Sequence, residues 1–251
     1  MKTLNLDSEE NSKLLTSDTL KYTHTYFGIH FGGTNSRGIL AYADANWAPV
    51  YPSWPADKTS MPFELLPVLT ITHPDGKSLE LSENVAIDIF LAKQFGLHGN
   101  NAWEEALINS YYSHSNSMFF QETMFNYFWE SAEKSDEERA KYLQKYLNET
   151  LPGWAKIHES NLVHNHSNGH YIGNRTTLAD IRTTTLLAAI EELFGKESIA
   201  SVINETKTPA IAKLRATIEG KPSYAAWIHS DVYKKLSAGS KDFVKQQHPE
   251  L

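Results

Sequence analysis

The stretch Met61–Ala92, MPFELLPVLTITHPDGKSLELSENVAIDIFLA, constrains the fold most, because it prescribes a run of conformations in fixed order. An extended segment runs into Pro67. Val68-Leu69-Thr70-Ile71 is rich in β-branched residues and predicts a buried strand. Pro74-Asp75-Gly76-Lys77 predicts a turn, since proline presets φ and glycine accepts a positive one. Ser78–Leu81 alternates polar and apolar residues, the period of a half-buried strand. Ser82-Glu83-Asn84 offers capping chemistry before a helix that carries Val85, Ile87, Ile89, Phe90 and Leu91. Pro67 stands where a strand normally donates to its ladder. One reading is an ordinary edge-strand proline beside a capped helix. The other is a cis bond that turns the chain and leaves the N–H and C=O of Leu66 open to an extended, peptide-like ligand. The helix beginning near Glu83 then aims its positive end at the same ligand.

Around this stretch the chain reads first as α/β, then as helical. Residues 1–20 are polar and acidic and read as a loosely docked extension with weak helical character. Tyr22–Ile29 is a strand candidate and His30–Gly33 a turn. Thr34 or Asn35 can cap a helix to about Ala43, and Trp47–Tyr51 is a second strand. Residues 21–95 thus form a compact β-α-β, β-β-α unit. Gly96–Asn101 is a linker, and 102–251 is helical. Helices are predicted over Ala102–Trp129, Asp136–Trp154, Thr176–Leu193, Thr208–Ile218 and Ser223–Lys235. A polar loop at His158–Gly173 holds a cluster of histidines. Thr177 followed by Asp180 is a capping box.

The net charge of −7 and the lack of a basic stripe argue against nucleic acid as partner. No apolar run approaches a membrane span, and the first residues lack a signal-peptide core, which predicts a cytoplasmic protein. With no cysteine in the chain, disulfide scaffolds, cysteine-based zinc sites and cysteine nucleophiles are excluded together. His158, His164, His166 and His170 read as a solvated loop, and no metal site is expected.

With these elements in place, the chain resembles the cytosolic glutathione transferases, most closely the sigma class, from about Lys21 to Ile228. Thr25-Tyr26-Phe27 is similar to the first-strand motif with the catalytic tyrosine. Trp54-Pro55 and Lys58 resemble the Trp and Lys that hold the glycyl carboxylate of glutathione. Leu66-Pro67-Val68-Leu69 looks like the cis-proline run, and Glu83-Asn84-Val85-Ala86-Ile87 sits where the family has Glu/Gln-Ser-x-Ala-Ile. Thr177–Asp180 resembles the helical domain's capping segment. The resemblance implies a thioredoxin-like N-terminal domain, an all-helical C-terminal domain and a homodimer. It implies glutathione as co-substrate, bound by Trp54, Lys58, Leu66, Pro67, Glu83 and Asn84, with Tyr26 as the catalytic hydroxyl. A hydrophobic electrophile or lipid-derived substrate is expected near Tyr111, Tyr112 and Phe119.

Three departures weigh against this activity. Asn84 replaces the expected serine, and His30-Phe31-Gly32-Gly33 replaces an Arg-Gly-Arg turn. Asn109 or Ser113 stands where the family has an acid reaching across the dimer. The alternative is therefore a non-catalytic structural or ligand-binding protein on the same fold, like the lens crystallins. Taken alone, Tyr26 is a core aromatic, Trp54 and Lys58 are surface residues, and Phe119-Phe120 and Phe125–Trp129 are core or dimer-interface aromatics. A thiol-disulfide reductase would need a cysteine near position 26, and there is none.

Overall fold

The computed structural model describes residues 4, 7–17 and 19–248. A four-stranded sheet is built from β1 (Lys21–Thr25), β2 (Trp47–Val50), β3 (Val68–Thr72) and β4 (Ser78–Ser82) in the order β2-β1-β3-β4. β1 runs parallel to β2 and antiparallel to β3, and β3 pairs antiparallel with β4. The parallel pair needs a crossover, supplied by α2 (Thr34–Tyr42) after a 3₁₀ turn at Phe31–Gly33. The β3–β4 hairpin turns at Gly76, whose φ of 88° suits glycine. α3 (Asn84–Gln94) packs back on the sheet through Ile87 and Leu91.

Of the N-terminal extension, residues 1–3, 5–6 and 18 lie outside the described residues, and the described part forms one short helix. α1 (Ser8–Leu14) is capped by Asp7, whose side chain accepts from the Glu10 N–H at 3.1 Å. Leu20 is buried, and Gln94 Nε2 donates to the Leu15 carbonyl at 3.3 Å.

The helical unit starts at α4 (Ala102–Ser117), which continues without a break into a π-helix at Met118–Trp129 and the single turn α5 (Glu130–Ala132). α6 (Asp136–Lys145) passes through a second π segment at Tyr146–Thr150 into α7 (Leu151–His164). The two π segments touch where Thr123 Oγ1 meets Tyr146 OH at 2.8 Å; the same hydroxyl also donates to the Met118 carbonyl at 2.9 Å, five residues back. α8 (Leu178–Phe194) is the buried central helix, followed by the short α9 (Lys196–Ala200). α10 (Pro209–Glu219), α11 (Pro222–Ile228) and α12 (Asp231–Gln247) complete the unit. Among the described residues no helix is long and apolar enough to cross a membrane.

The capping box forms as its spacing requires: the Thr177 N–H and hydroxyl both donate to Asp180 Oδ2, at 2.7 and 2.9 Å. Two expectations are corrected. His158 lies on α7, not in a loop, and is fully buried between His114 (2.9 Å) and the Tyr171 hydroxyl (2.5 Å). The predicted helix at Ser223–Lys235 is two helices, α11 and α12, broken at Ser230, whose hydroxyl caps α12 by accepting from the Tyr233 N–H.

A buried polar network joins the sheet unit to the helices. Asp88 of α3 accepts from Asn35 Nδ2 (2.8 Å), Ser36 Oγ (2.6 Å) and Tyr112 OH (2.9 Å). Thr185 of α8 donates to Asn35 Oδ1 at 2.9 Å. Burial raises the Asp88 pKa, and the three donors and the Arg182 charge oppose that shift.

Candidate active site

The strand register brings distant segments to one end of the sheet. Thr25 stands opposite Val68 and beside Val50, and Val68 stands opposite Ser82. The residues that follow β1, β2 and β4, and Pro67, which precedes β3, therefore converge. Tyr26 extends β1 by one pair, its N–H donating to the Val50 carbonyl at 3.1 Å.

Tyr26 is half-buried, with its hydroxyl packed against Gly32. A Cβ on Gly32 would lie 2.7 Å from that oxygen, and one on Gly33 would lie 2.7 Å from the ring. The turn closes over the tyrosine only because both residues lack side chains. Burial raises the Tyr26 pKa above its ordinary value, with the Gly32 N–H and the Arg37 charge pulling the other way. The hydroxyl thus stays protonated at neutral pH and serves as a hydrogen-bond donor.

The turn lacks the arginines expected there, yet a cation stands behind the tyrosine. Arg37 of α2 places its guanidinium 5.6 Å from the ring centroid and donates to the carbonyls of Ile29 (2.6 Å) and Phe27 (3.0 Å). It is fully buried, and burial lowers its pKa to about 10, so it remains charged at neutral pH. Its place in the site depends on the helix crossing, which the local sequence does not announce.

Three buried histidines are held neutral. His24, beneath Tyr26, has neither ring nitrogen partnered; burial and then the Arg37 charge push its pKa well below the ordinary value. Burial lowers both His30 and His158 to about 3. A folded pKa below the unfolded value near 6.5 gives stability that is complete above that pH and lost as pH falls through the window toward 3. We expect the melting temperature to fall steadily between pH 6.5 and 4, each histidine adding a slope of about 1 kcal/mol per pH unit. A melting temperature flat over that range would show these groups charged or exposed in the native state.

Of the expected glutathione contacts, Leu66, Pro67, Glu83 and Asn84 flank the same end of the sheet, and Trp54 reaches it through Phe27. The Leu66–Pro67 and Trp54–Pro55 bonds are both cis. Among the described residues no hydrogen bond within the chain engages the Leu66 backbone. Trp54 packs edge-on against Phe27 (5.7 Å), which packs against Tyr26 (5.3 Å). Lys58 opens an exposed 3₁₀ turn. Glu83 has φ 73°, a left-handed conformation unusual for a residue with a side chain and often concentrated at binding sites. It precedes α3, whose N-terminal residue Glu83 makes no side-chain cap. Asn84 Oδ1 accepts from the Val85 N–H at 2.9 Å, and its Nδ2 has no partner among the described residues.

Tyr26 also lines an apolar cavity of about 530 Å³, walled by Phe27, Ile29, Phe119, Phe120 and Met124, with Phe31, Gly32, Trp129 and Phe243. Among the described residues no charged side chain lines it. The π-helix makes this wall: Phe120 and Trp129 are nine residues apart, about two and a half α-helical turns and so on opposite faces. The wider i→i+5 turn brings them back to one side after about two turns. Of the expected substrate-pocket residues, Phe119 lines the cavity and the two tyrosines do not. The Tyr112 hydroxyl is spent on Asp88, and Tyr111 stacks on Tyr171 (4.5 Å) and donates to Asn161. Phe120 and Trp129, which read as core or interface in the sequence, belong to the pocket, as does Phe243. Phe243 lies on α12 beside the buried face formed by Leu236, Ser240 and Val244. Asn109 is bound to His98 Nε2 at 3.0 Å within its own chain, and Ser113 is exposed. A larger cavity of about 690 Å³ lies between α8, α10, α11 and α12, around Glu192, Arg215 and Tyr233; Tyr26 takes no part in it.

The family model of the glutathione S-transferase C-terminal domain matches residues 120–231. The chain is 32% identical over 218 residues to probable glutathione S-transferase 7 of Caenorhabditis elegans, covering 80% of this chain and 97% of that protein. It is 28% identical over 214 residues to S-crystallin SL11 of Nototodarus sloanii, covering 82% and 95%. Among solved structures it resembles the monomeric Na-GST-3 of Necator americanus, with a TM-score of 0.69 at 23% identity over 84% of this chain and 97% of that one. It also resembles the Fasciola hepatica sigma class enzyme, with a TM-score of 0.65 at 21% identity over 84% and 96%. At such identities the structural likeness speaks for the fold.

Proposed function

The chain belongs to the glutathione S-transferase family, and on that premise we propose that it activates the thiol of glutathione and conjugates it to apolar electrophiles. The observation that carries this reading is Tyr26 lining an apolar cavity at the end of the sheet where Leu66, Pro67 and Glu83 converge, with burial raising the pKa of its hydroxyl. The cysteine backbone of glutathione pairs with the free N–H and C=O of Leu66. The γ-glutamyl carboxylate lies at the start of α3, where the helix dipole and the Asn84 amide favour a negative charge. Trp54 and Lys58 hold the glycyl carboxylate.

Tyr26 donates its proton into a hydrogen bond to the sulfur without giving the proton up. That bond is stronger to thiolate than to thiol, so the thiol pKa falls below its free value of about 8.5. The Arg37 charge behind the ring adds to the same stabilisation. The thiolate attacks the electrophilic carbon, a carbon–sulfur bond forms, and the displaced pair leaves with the departing group or moves onto the activated carbonyl. Detoxification of such electrophiles in the cytoplasm, where glutathione keeps thiols reduced, fits this chemistry.

One observation favours a second, crystallin-like reading. Asn84 Oδ1 already occupies the Val85 N–H, an amide that the γ-glutamyl carboxylate would otherwise use. Titration of glutathione by calorimetry, followed by conjugation to a chloronitrobenzene in the same sample, separates the two. Binding with turnover supports the transferase. Absence of binding at millimolar glutathione overturns it and leaves a structural protein. Phe63, Leu65 and Val85 are exposed at 58%, 50% and 40% near this end of the sheet, a surface suited to a second copy. We accordingly expect the same sample to sediment as a homodimer.

A further inference from the structure

α12 begins at Asp231, where the match to the family model ends, and it closes onto both halves of the site. At one end it clasps the turn after Tyr26. The His30 N–H donates to Ser240 Oγ at 2.9 Å, and His30 Nε2 meets Ser237 Oγ at 3.2 Å. Gly239 lies so close to the Gly28 carbonyl that a Cβ there would fall 2.3 Å from the oxygen. At its other end His248 Nε2 donates to the Phe128 carbonyl of the π-helix at 2.7 Å. Between these anchors Phe243 packs on Phe31, Phe128 and Trp129, at 5.7, 5.8 and 5.9 Å, and enters the apolar cavity. Tyr26 joins the cavity through a separate cluster with Phe27 and Trp54. No ring contact links Tyr26 to Phe243 among the described residues.

We infer that α12 is a specificity element and that Phe243 sets how long an apolar group can extend from the sulfur. The inference rests on the reading of Tyr26 as the residue that faces the glutathione thiol. The Tyr26 cluster and the Phe243 cluster both line this cavity, so a chain extending from the sulfur through it runs toward the Phe243 ring. The helix that carries this ring is anchored on both sides of it, at Ser240 and at His248. The walls offer no charge, so the favoured substrates are compact and uncharged along their apolar part. A long acyl chain is disfavoured because it overruns Phe243.

The test is binding of S-alkyl glutathiones of increasing length, S-methyl through S-octyl, by calorimetry to the full chain. Each methylene that enters the cavity strengthens binding by up to about fourfold, and the gain stops when the cavity is full. The wild type should stop gaining at the length at which the chain reaches the Phe243 ring. Phe243→Ala should go on gaining for two or more further methylenes, and Phe243→Trp should stop earlier. Phe243→Leu, which keeps an apolar contact, guards against misfolding of the alanine variant and should fall between. A stopping length unchanged in all three variants overturns the inference while leaving the transferase reading intact. Failure of unsubstituted glutathione to bind would instead overturn the reading on which it rests.

Discussion

Replacement of Tyr26 by phenylalanine is expected to slow conjugation by about ten- to a hundredfold while glutathione binding and thermal stability change little. A hydrogen bond to an ionised partner contributes about 1.5–3 kcal/mol, and that difference appears in the transition state as the rate loss. The ring, its packing on Phe27 and its contact with Arg37 all survive the substitution. The pH profile distinguishes this mechanism from general base catalysis. Burial keeps the Tyr26 hydroxyl protonated to above its ordinary pKa, so the rising limb of the rate near neutrality belongs to the bound thiol. In the phenylalanine variant that limb should move to higher pH, toward the free thiol value of about 8.5. Rates and limb both unchanged would show that another group faces the sulfur.

The largest expected loss of stability follows Asp180→Ala. Asp180 is fully buried, and its two oxygens accept three hydrogen bonds: from the N–H and hydroxyl of Thr177 and from the Tyr171 N–H at 2.8 Å. Alanine leaves all three donors without a partner in the interior. Each stranded donor costs about 1–3 kcal/mol, and relaxation of the loop recovers part of it, so a net loss of about 3–5 kcal/mol is expected. For a chain of this size the melting temperature should fall by roughly 10 °C or more. Asp180→Asn, which keeps one acceptor, should lose about half as much. Urea unfolding of both variants gives the measurement. A loss under about 1 kcal/mol for alanine would mean that the N-terminus of α8 is held by packing alone.

The path from residues to site differed from place to place. The hairpin, the helix after Glu83 and the capping box were legible because each depends on neighbours within a few positions: proline and glycine geometry in the first, period in the second, a three-residue spacing in the third. Tyr26, Trp54, Lys58, Leu66, Pro67, Glu83 and Asn84 are proposed for the site from their order along the chain, through the family resemblance. That order matches the sequence in which a thioredoxin-like sheet delivers them to one end. His158 was misplaced because the solvated Asn/Ser/Gly run that follows His164 was extended back to it. Its partners His114 and Tyr171 lie on other elements, and they make its burial tolerable.

What the sequence determined by itself is therefore the sheet unit and the succession of helices, which follow from local conformational preference and hydrophobic period; the residues proposed for the site rest on the family resemblance. Tertiary structure alone decided what surrounds the Tyr26 hydroxyl. Arg37 reaches the ring from a helix eleven residues later, and the π-helix turns Phe120 and Trp129 to one face. Phe243 arrives from the last helix, more than two hundred residues away. Each is a packing outcome across elements, set by how buried surfaces and buried polar groups find partners, and no spacing along the chain encodes such meetings.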